Sequence, residues 1–342
     1  MPVNKKMLTM VRKVFYNENN LKEGYKAERK LVEFSHPYML KKFCKTFDHF
    51  IPSGYYKVPV RFFLPLVEGN YPLIIYIHGG GFVTGNIQSY STLCTRIANK
   101  TKHIVLSIDY RLAPEYKFPE GLEDCYAVVK TMVSQTLFFN DIKDKVILMG
   151  DSAGANLVAA ISLLARERGD FRVDKQILLY PALYNNYTET SPFKSVHENG
   201  EDYLLTRDRM ESYLELYTRS EDDLKSKYLA PLLSEDLTNQ PETLIITAQY
   251  DLLRDEGKEY ADRLKKAGNK SWYYEIEDVV HGFFMLSPLL EPVKRCYGII
   301  NQFLDVKDNI DDTPIVEEIK AIERRSNIKG NKSIEGEEYG IK

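Results

Sequence analysis

Long apolar runs are missing from this sequence. No window approaches the roughly 18 uninterrupted apolar residues of a membrane-spanning helix, so no transmembrane segment is expected. The N-terminal stretch MPVNKKMLTMVRKVF is basic, but it has neither an apolar h-region nor a small-residue cleavage site. That argues against a secretory signal peptide. Cysteine is scarce: Cys44, Cys94, Cys125 and Cys296 are scattered, with no C-x-x-C pair. Such spacing supplies neither a disulfide framework nor a zinc site and favours a reduced, cytoplasmic setting. Charge of one sign is not in excess either, since 46 Lys and Arg against 49 Asp and Glu leave a formal net charge of −3. Bulk charge therefore gives no reason to expect nucleic acid or acidic lipid as a partner. No internal repeat is visible.

What is present is an ordinary globular composition, 44% hydrophobic and 28% charged over 342 residues. That length suits one large domain with insertions or two modest ones. Short apolar runs recur: PLIIYIHG (72–79), HIVLSIDY (103–110), VILMG (146–150), QILLYPA (176–182) and TLIITAQYD (243–251). They are continuous rather than alternating, as strands buried on both faces of a parallel sheet are. Helical patterns lie between them, near 90–99, 120–132, 153–168 and 257–266. Strand followed by helix, repeated, predicts an α/β fold with a doubly wound, mostly parallel central sheet and helices on both faces. SWYYEIED (271–278) alternates and reads as a further strand. YYKVPVRFFLPL (55–66) carries prolines and reads as an early strand near an edge.

Two segments break this rhythm. Residues 1–50 are charged and helical in pattern, and residues 185–235 form a long insertion with helical periodicity in DRMESYLELY (208–217). A connection that long inside an α/β domain is usually functional, often a lid, although a merely decorative helical excursion is the competing reading. The expected division is an N-terminal helical segment (1–50), a main α/β domain (51–184 and 236–306), an insertion (185–235) and a charged, partly disordered tail (307–342). In the tail, IVEEIKAIERR (315–325) has the pattern of a short amphipathic helix, and NKSIEGEEYGIK has the composition of disorder.

Gly150, Ser152 and Gly154 match G-x-S-x-G. The pattern alone is weak, because roughly one chain in ten of this length would match by chance. Its context is stronger: a nucleophile elbow needs a buried strand before the serine and a helix after it, and both are predicted here. A serine hydroxyl needs a base. Of six histidines, His36 and His49 precede the sheet, His103 opens a strand at the wrong end, and His197 sits in the insertion. His281 directly follows the SWYYEIED strand, at the same sheet edge as Ser152. Asp251 closes the TLIITAQYD strand at that edge too and is placed to orient the base. Its neighbours Asp255 and Glu256 begin a helix, where the dipole favours acids in any case. HGGGF (78–82) supplies three consecutive glycines after a strand, a backbone that can approach a tetrahedral intermediate. A dinucleotide fingerprint would need glycine at 84, where Thr84 stands, which leaves a plain turn as the competing reading.

These residues resemble the hormone-sensitive-lipase-like esterases, the group often called bacterial family IV. The resemblance covers about 71–284 in ordered blocks: HGGGF, DYRLAPEYKFPEGLEDC (109–125), GDSAGAN (150–156), YLAPLLSEDL (228–237), YDLLRDEG (250–257) and HGF (281–283). It implies an α/β-hydrolase fold with a helical cap built from the N-terminal segment and the insertion. It implies a Ser152–Asp251–His281 triad and an oxyanion hole from the N–H groups of Gly80, Gly81 and Ala153. Gly79 would shape that loop, and His78 would orient it rather than act as base. One departure is Leu252, where relatives usually carry proline after the acid. The tail beyond about 306 lies outside the resemblance.

The expected activity is hydrolysis of short- to medium-chain acyl esters, a small-molecule substrate, through an acyl-enzyme on Ser152, with no metal or organic cofactor required. Amide or peptide hydrolysis uses the same parts and is one alternative. A non-catalytic ligand-binding protein on the same scaffold is the other, disfavoured because His281 is present. Oligomeric state and the alcohol half of the substrate are not legible.

Overall fold

The computed structural model describes residues 21–35, 44–67, 69, 71–134 and 146–306. The expectations for 315–325 and for the end of the chain lie outside them. Among the described residues, eight strands form one sheet: β1 (Lys45–Ser53), β2 (Tyr56–Leu64), β3 (Leu73–Ile77), β4 (Ile104–Ile108), β5 (Val146–Asp151), β6 (Lys175–Leu179), β7 (Glu242–Tyr250) and β8 (Ser271–Val280). Their spatial order is β1-β2-β4-β3-β5-β6-β7-β8. The β1–β2 and β2–β4 pairings are antiparallel, and every pairing from β4 onward is parallel. This is the mostly parallel α/β sheet that the continuous apolar runs predicted. One expectation needs correction. The helical reading of residues 1–50 stops short of β1, which is the edge strand and pairs from Lys45↔Leu64 to Ser53↔Tyr56. Its mostly exposed burial pattern hid it, because a strand with little buried face lacks the apolar run by which the others were read. The proline-bearing β2 is accordingly second from the edge.

Strand periodicity divides the core. Ile74 and Tyr76 of β3 point to one face, where they meet Leu93, Ile97, Cys296 and Ile300. These belong to α2 (Ile87–Thr101) and α9 (Glu291–Phe303). Leu73, Ile75 and Ile77 point to the other face and join residues of α3 (Glu120–Ser134), α4 (Ala153–Arg168) and α8 (Arg254–Lys266). Helix α4 is buried without a break from Ala153 to Ala165, and its central position needs small and apolar residues all round. Burying each of its larger side chains, such as Leu157, Ile161 and Leu163, contributes roughly 1.5–3 kcal/mol. All four cysteines are buried and unpaired by disulfides.

The insertion between β6 and β7 carries α5 (Lys194–Asn199), α6 (Arg207–Tyr217) and α7 (Glu221–Leu224). Helix α1 (Leu21–Ser35) packs against α2 and α6. The sheet order reverses at β3: the chain moves from β3 outward to β4, then crosses back to β5 on the other side. In open α/β sheets such a switch point is where a crevice forms at the carboxyl ends of the strands. Here HGGGF leaves β3 and Ser152 leaves β5 at that crevice, beneath α1 and the insertion. No described helix is long and apolar enough to cross a membrane.

Candidate active site

The turn from β5 into α4 is too tight for side chains at its flanks. A Cβ on Gly150 would lie 2.6 Å from the backbone of Gly154, and one on Gly154 would lie 2.0 Å from the carbonyl oxygen of Ile77. Ser152 itself is held at φ 54°, ψ −119°, in the left-handed half of the map that a non-glycine residue enters only under constraint. The Ser152 N–H is anchored on the Leu179 carbonyl at 2.9 Å, and the Asn156 N–H on the Ser152 carbonyl at 3.1 Å. This raises Oγ above the end of β5, beside the first turn of α4, whose N–H groups have no acceptor within the helix.

Oγ lies 3.0 Å from Nε2 of His281, and Nδ1 of the same ring lies 2.7 Å from Oδ2 of Asp251. A carboxylate only accepts, so Nδ1 carries the proton and Nε2 is left to accept from the serine. Asp251 is 2% exposed, its other oxygen takes the Leu253 N–H at 3.0 Å, and its carbonyl accepts from the Asn199 amide at 3.2 Å. The Leu252 departure thus leaves the acid in place. Tyr180 packs edge-on against the His281 ring, with centroids 4.9 Å apart. The structure brings Ser152, Asp251 and His281, which stand far apart in the chain, into one hydrogen-bonded row.

The glycine loop faces that row. Gly80, Gly81 and Ala153 line the same cavity as Ser152 and His281. Gly80 (φ +108°) has Thr84 packed where a Cβ would sit, at 2.3 Å, and Gly81 has φ +61°. The loop is built by its own turn, with the N–H groups of Val83 and Thr84 both donating to the Gly80 carbonyl. Gly79 donates to Oδ1 of Asp151 at 2.9 Å, and a Cβ there would meet Asp151 at 2.7 Å. His78 is wholly buried, its Nδ1 within 2.8 Å of the Gly79 carbonyl and its ring stacked on Tyr110 at 4.4 Å. Burial depresses its pKa to about 4, so it is neutral near pH 7. It holds the loop through the Gly79 carbonyl and makes no hydrogen bond to Ser152 Oγ.

Sequence reasoning passed over several residues. Asp151, quoted in the elbow motif but given no task, accepts from Tyr76 at 2.7 Å and Tyr90 at 3.1 Å as well as from Gly79. Burial raises its pKa while those three donors oppose the shift. It ties the glycine loop to the elbow. The two acids set aside as helix-starters do more than complement a dipole. Asp255 accepts from the Ser195 N–H at 2.7 Å. Glu256, fully buried, accepts from the Leu183 N–H at 2.7 Å and from Tyr187 at 3.2 Å. Both clamp the start of the insertion, and neither reaches His281. Their signal in the sequence, a run of acids after a strand, does not distinguish capping from clamping. The remaining histidines are apart from the row: His103 sits on the Thr101 carbonyl and His197 on the Ser191 carbonyl. His49 lies in β1, and His36 lies outside the described residues.

The cavity over the row has a volume of about 460 Å³. Its walls are mostly apolar, among them Leu205, Met210, Leu214 and Leu229, with Glu28, Arg209 and Tyr213 at one side. Helix α1 and the insertion both contribute, so the lining comes from both segments outside the sheet.

Comparison with known proteins agrees with this architecture. The family described as the alpha/beta hydrolase fold matches residues 74–285. An arylesterase of Saccharolobus solfataricus is 35% identical over 70% of this chain and 77% of its own length. The carboxylic ester hydrolase LipN of Mycobacterium tuberculosis is 34% identical over 71% of this chain and 65% of its own. Among solved structures, a hyperthermophilic esterase from the archaeon Pyrobaculum calidifontis superposes with a TM-score of 0.80 at 34% identity, covering 89% of this chain and 98% of that one. The chain therefore belongs to the alpha/beta hydrolase fold family, in its hormone-sensitive-lipase-like (family IV) branch of ester hydrolases.

Proposed function

We propose that this chain is a serine carboxylesterase that cleaves short- to medium-chain acyl esters through an acyl-enzyme on Ser152. The observation that carries the reading is the continuous row Ser152 Oγ–His281 Nε2 at 3.0 Å and His281 Nδ1–Asp251 Oδ2 at 2.7 Å. Ser152 attacks the ester carbonyl while His281 takes its proton, and Asp251 holds the imidazole in the accepting tautomer and stabilises the imidazolium. The carbonyl oxygen becomes an oxyanion against the N–H groups of Gly80, Gly81 and Ala153. His281 then protonates the leaving alcohol, and later draws a proton from the water that releases the acid. No step calls on a metal or an organic cofactor.

Two features support the substrate class. The cavity, at about 460 Å³, falls in the lower half of the range for small-molecule sites, and its walls are largely apolar. Both α1 and the insertion wall it in, as a cap over a compact acyl pocket would. We assign 185–235 and the described helix before β1 to that cap, and place the protein in the cytoplasm, where four buried free thiols are at home.

Ser152→Ala is expected to lower turnover of p-nitrophenyl butyrate by about four orders of magnitude with the melting temperature nearly kept. A variant retaining most of its activity would overturn the assignment. Rates over a p-nitrophenyl series from acetate to palmitate, with an amide control, test the substrate class. A maximum at the long end, or faster cleavage of the amide, refutes it.

A further inference from the structure

The cap does more than enclose the cavity: it grips the oxyanion loop residue by residue. A Cβ on Gly81 would lie 2.4 Å from the ring of Tyr213 in α6, so that ring is seated directly against the Gly81 backbone. One residue on, Phe82 lies flat on Tyr217 of the same helix, with centroids 3.9 Å apart and planes 2° from parallel. From α1, Arg29 donates through Nε to the Val83 carbonyl and through Nη2 to the Ala113 carbonyl, each at 2.7 Å. Ala113 in turn donates its N–H to the Phe82 carbonyl at 2.9 Å. Three consecutive loop residues are therefore braced by the two cap segments.

Tyr213 is itself fixed from behind. It is 7% exposed, its hydroxyl donates to Oε1 of Glu28 at 3.4 Å, and it accepts from Nη2 of Arg209 at 3.2 Å. Arg209 and Glu28 pair across α6 and α1, with only 12% and 11% of their side chains exposed. The phenol ring cannot leave Gly81 without disturbing the junction of the two cap segments.

We propose that Tyr213 is a positioning residue for the oxyanion hole, so that the seating of the cap sets the rate of acyl transfer; this rests on the esterase reading above. The physical reason is that a glycine has no side chain with which to fix itself. Below, Asp151 holds the Gly79 N–H, and the Val83 and Thr84 N–H groups hold the Gly80 carbonyl. At Gly81 the brace is the Tyr213 ring. Oxyanion donors act by being aimed beforehand at the charge that develops, so loosening one weakens transition-state binding more than substrate binding.

The test uses p-nitrophenyl acetate, whose small acyl group makes little use of the pocket walls. Tyr213→Ala is expected to lower kcat about 10- to 100-fold and change KM less than about threefold, while Tyr213→Phe, which keeps the ring, recovers most of kcat. A double-mutant cycle adds an independent reading. Gly81→Ala is expected to cost about 100-fold in kcat/KM in the native background, yet less than about tenfold in the Tyr213→Ala background, where the colliding ring is gone. Should Tyr213→Ala not fold, Tyr213→Leu carries the same kinetics. Unchanged kcat with a raised KM, or strictly additive effects in the cycle, would overturn the proposal. Ser152→Ala assayed alongside separates the two levels: activity in that variant defeats the esterase reading, whereas a dead Ser152→Ala beside a fully active Tyr213→Ala defeats only this one.

Discussion

Replacing Asp251 by Asn removes one negative charge and almost no volume. The site is well suited to the swap, because the carboxylate is buried and its Oδ1 accepts the Leu253 N–H, a bond that the amide oxygen of Asn keeps. The amide nitrogen must then face His281 Nδ1, now 2.7 Å from an oxygen. Two donors cannot share that bond, so the imidazole moves its proton to Nε2. There it points at Ser152 Oγ, 3.0 Å away, and can no longer accept the serine proton. The expected loss is that of a triad locked in the wrong tautomer, about 10⁴ in kcat, or about 5.5 kcal/mol at 1.36 kcal/mol per decade. The assay is steady-state hydrolysis of p-nitrophenyl butyrate near pH 7, with a thermal melt to show that the fold survives. Asp255→Asn and Glu256→Gln are run beside it. A loss of less than about tenfold in Asp251→Asn, or a larger loss in either neighbour, refutes the assignment of Asp251 as the orienting acid.

The other predictions concern stability. Burial pushes the Glu256 carboxyl well above the usual carboxylate range. The folded state therefore keeps a proton that the unfolded chain gives up near pH 4.3, and this contribution to stability, complete below that pH, drains away as pH rises toward the raised value. Glu256→Gln cannot titrate, so its melting temperature minus that of the native protein should grow from about pH 5 to about pH 8; a constant or shrinking difference contradicts the reading. Gly154→Ala would drive a methyl to 2.0 Å from the Ile77 carbonyl oxygen, where the first turn of α4 is packed directly on the end of β3. It should cost at least about 4 kcal/mol and appear as insoluble protein or a melting temperature lowered by at least about 5 °C. Gly169→Ala, with φ +66° but nothing within 4 Å, is the comparison and should cost only about 1 kcal/mol. Equal melting temperatures for the two variants would remove the steric account of the elbow.

The legibility of this chain varied with how local each signal was. Strands β3 to β7 were readable because each is a short apolar run buried on both faces, and α4 because good helix formers follow the elbow. Ser152, Asp251 and His281 stood out because each follows the carboxyl end of a strand, Ser152 and Asp251 after continuous apolar runs and His281 after the alternating run of β8. β1 was not readable, since only Ile51 in it is buried and its pairing partner lies beyond a turn. Asp151 was in plain view in the motif. Yet its task depends on Tyr76, Tyr90 and Gly79, which the chain places at least 60 residues away. The clamping roles of Asp255 and Glu256 depend likewise on Leu183, just before the insertion, and on Tyr187 and Ser195 within it.

The sequence by itself determined the alternation of strand and helix, the glycines of the elbow and of the HGGGF loop, and the places of Ser152, Asp251 and His281 at strand ends. These follow from backbone conformation and burial, which act over a few residues and leave a periodic or glycine-marked trace. Only the tertiary structure decided what holds those parts in register. The brace of Tyr213 on Gly81, the Glu28–Arg209 pair behind it and the Asp151 tie beneath it join segments that no local pattern relates. Contacts of that kind depend on how surfaces meet once the chain has closed, and a linear sequence carries no periodic mark of them.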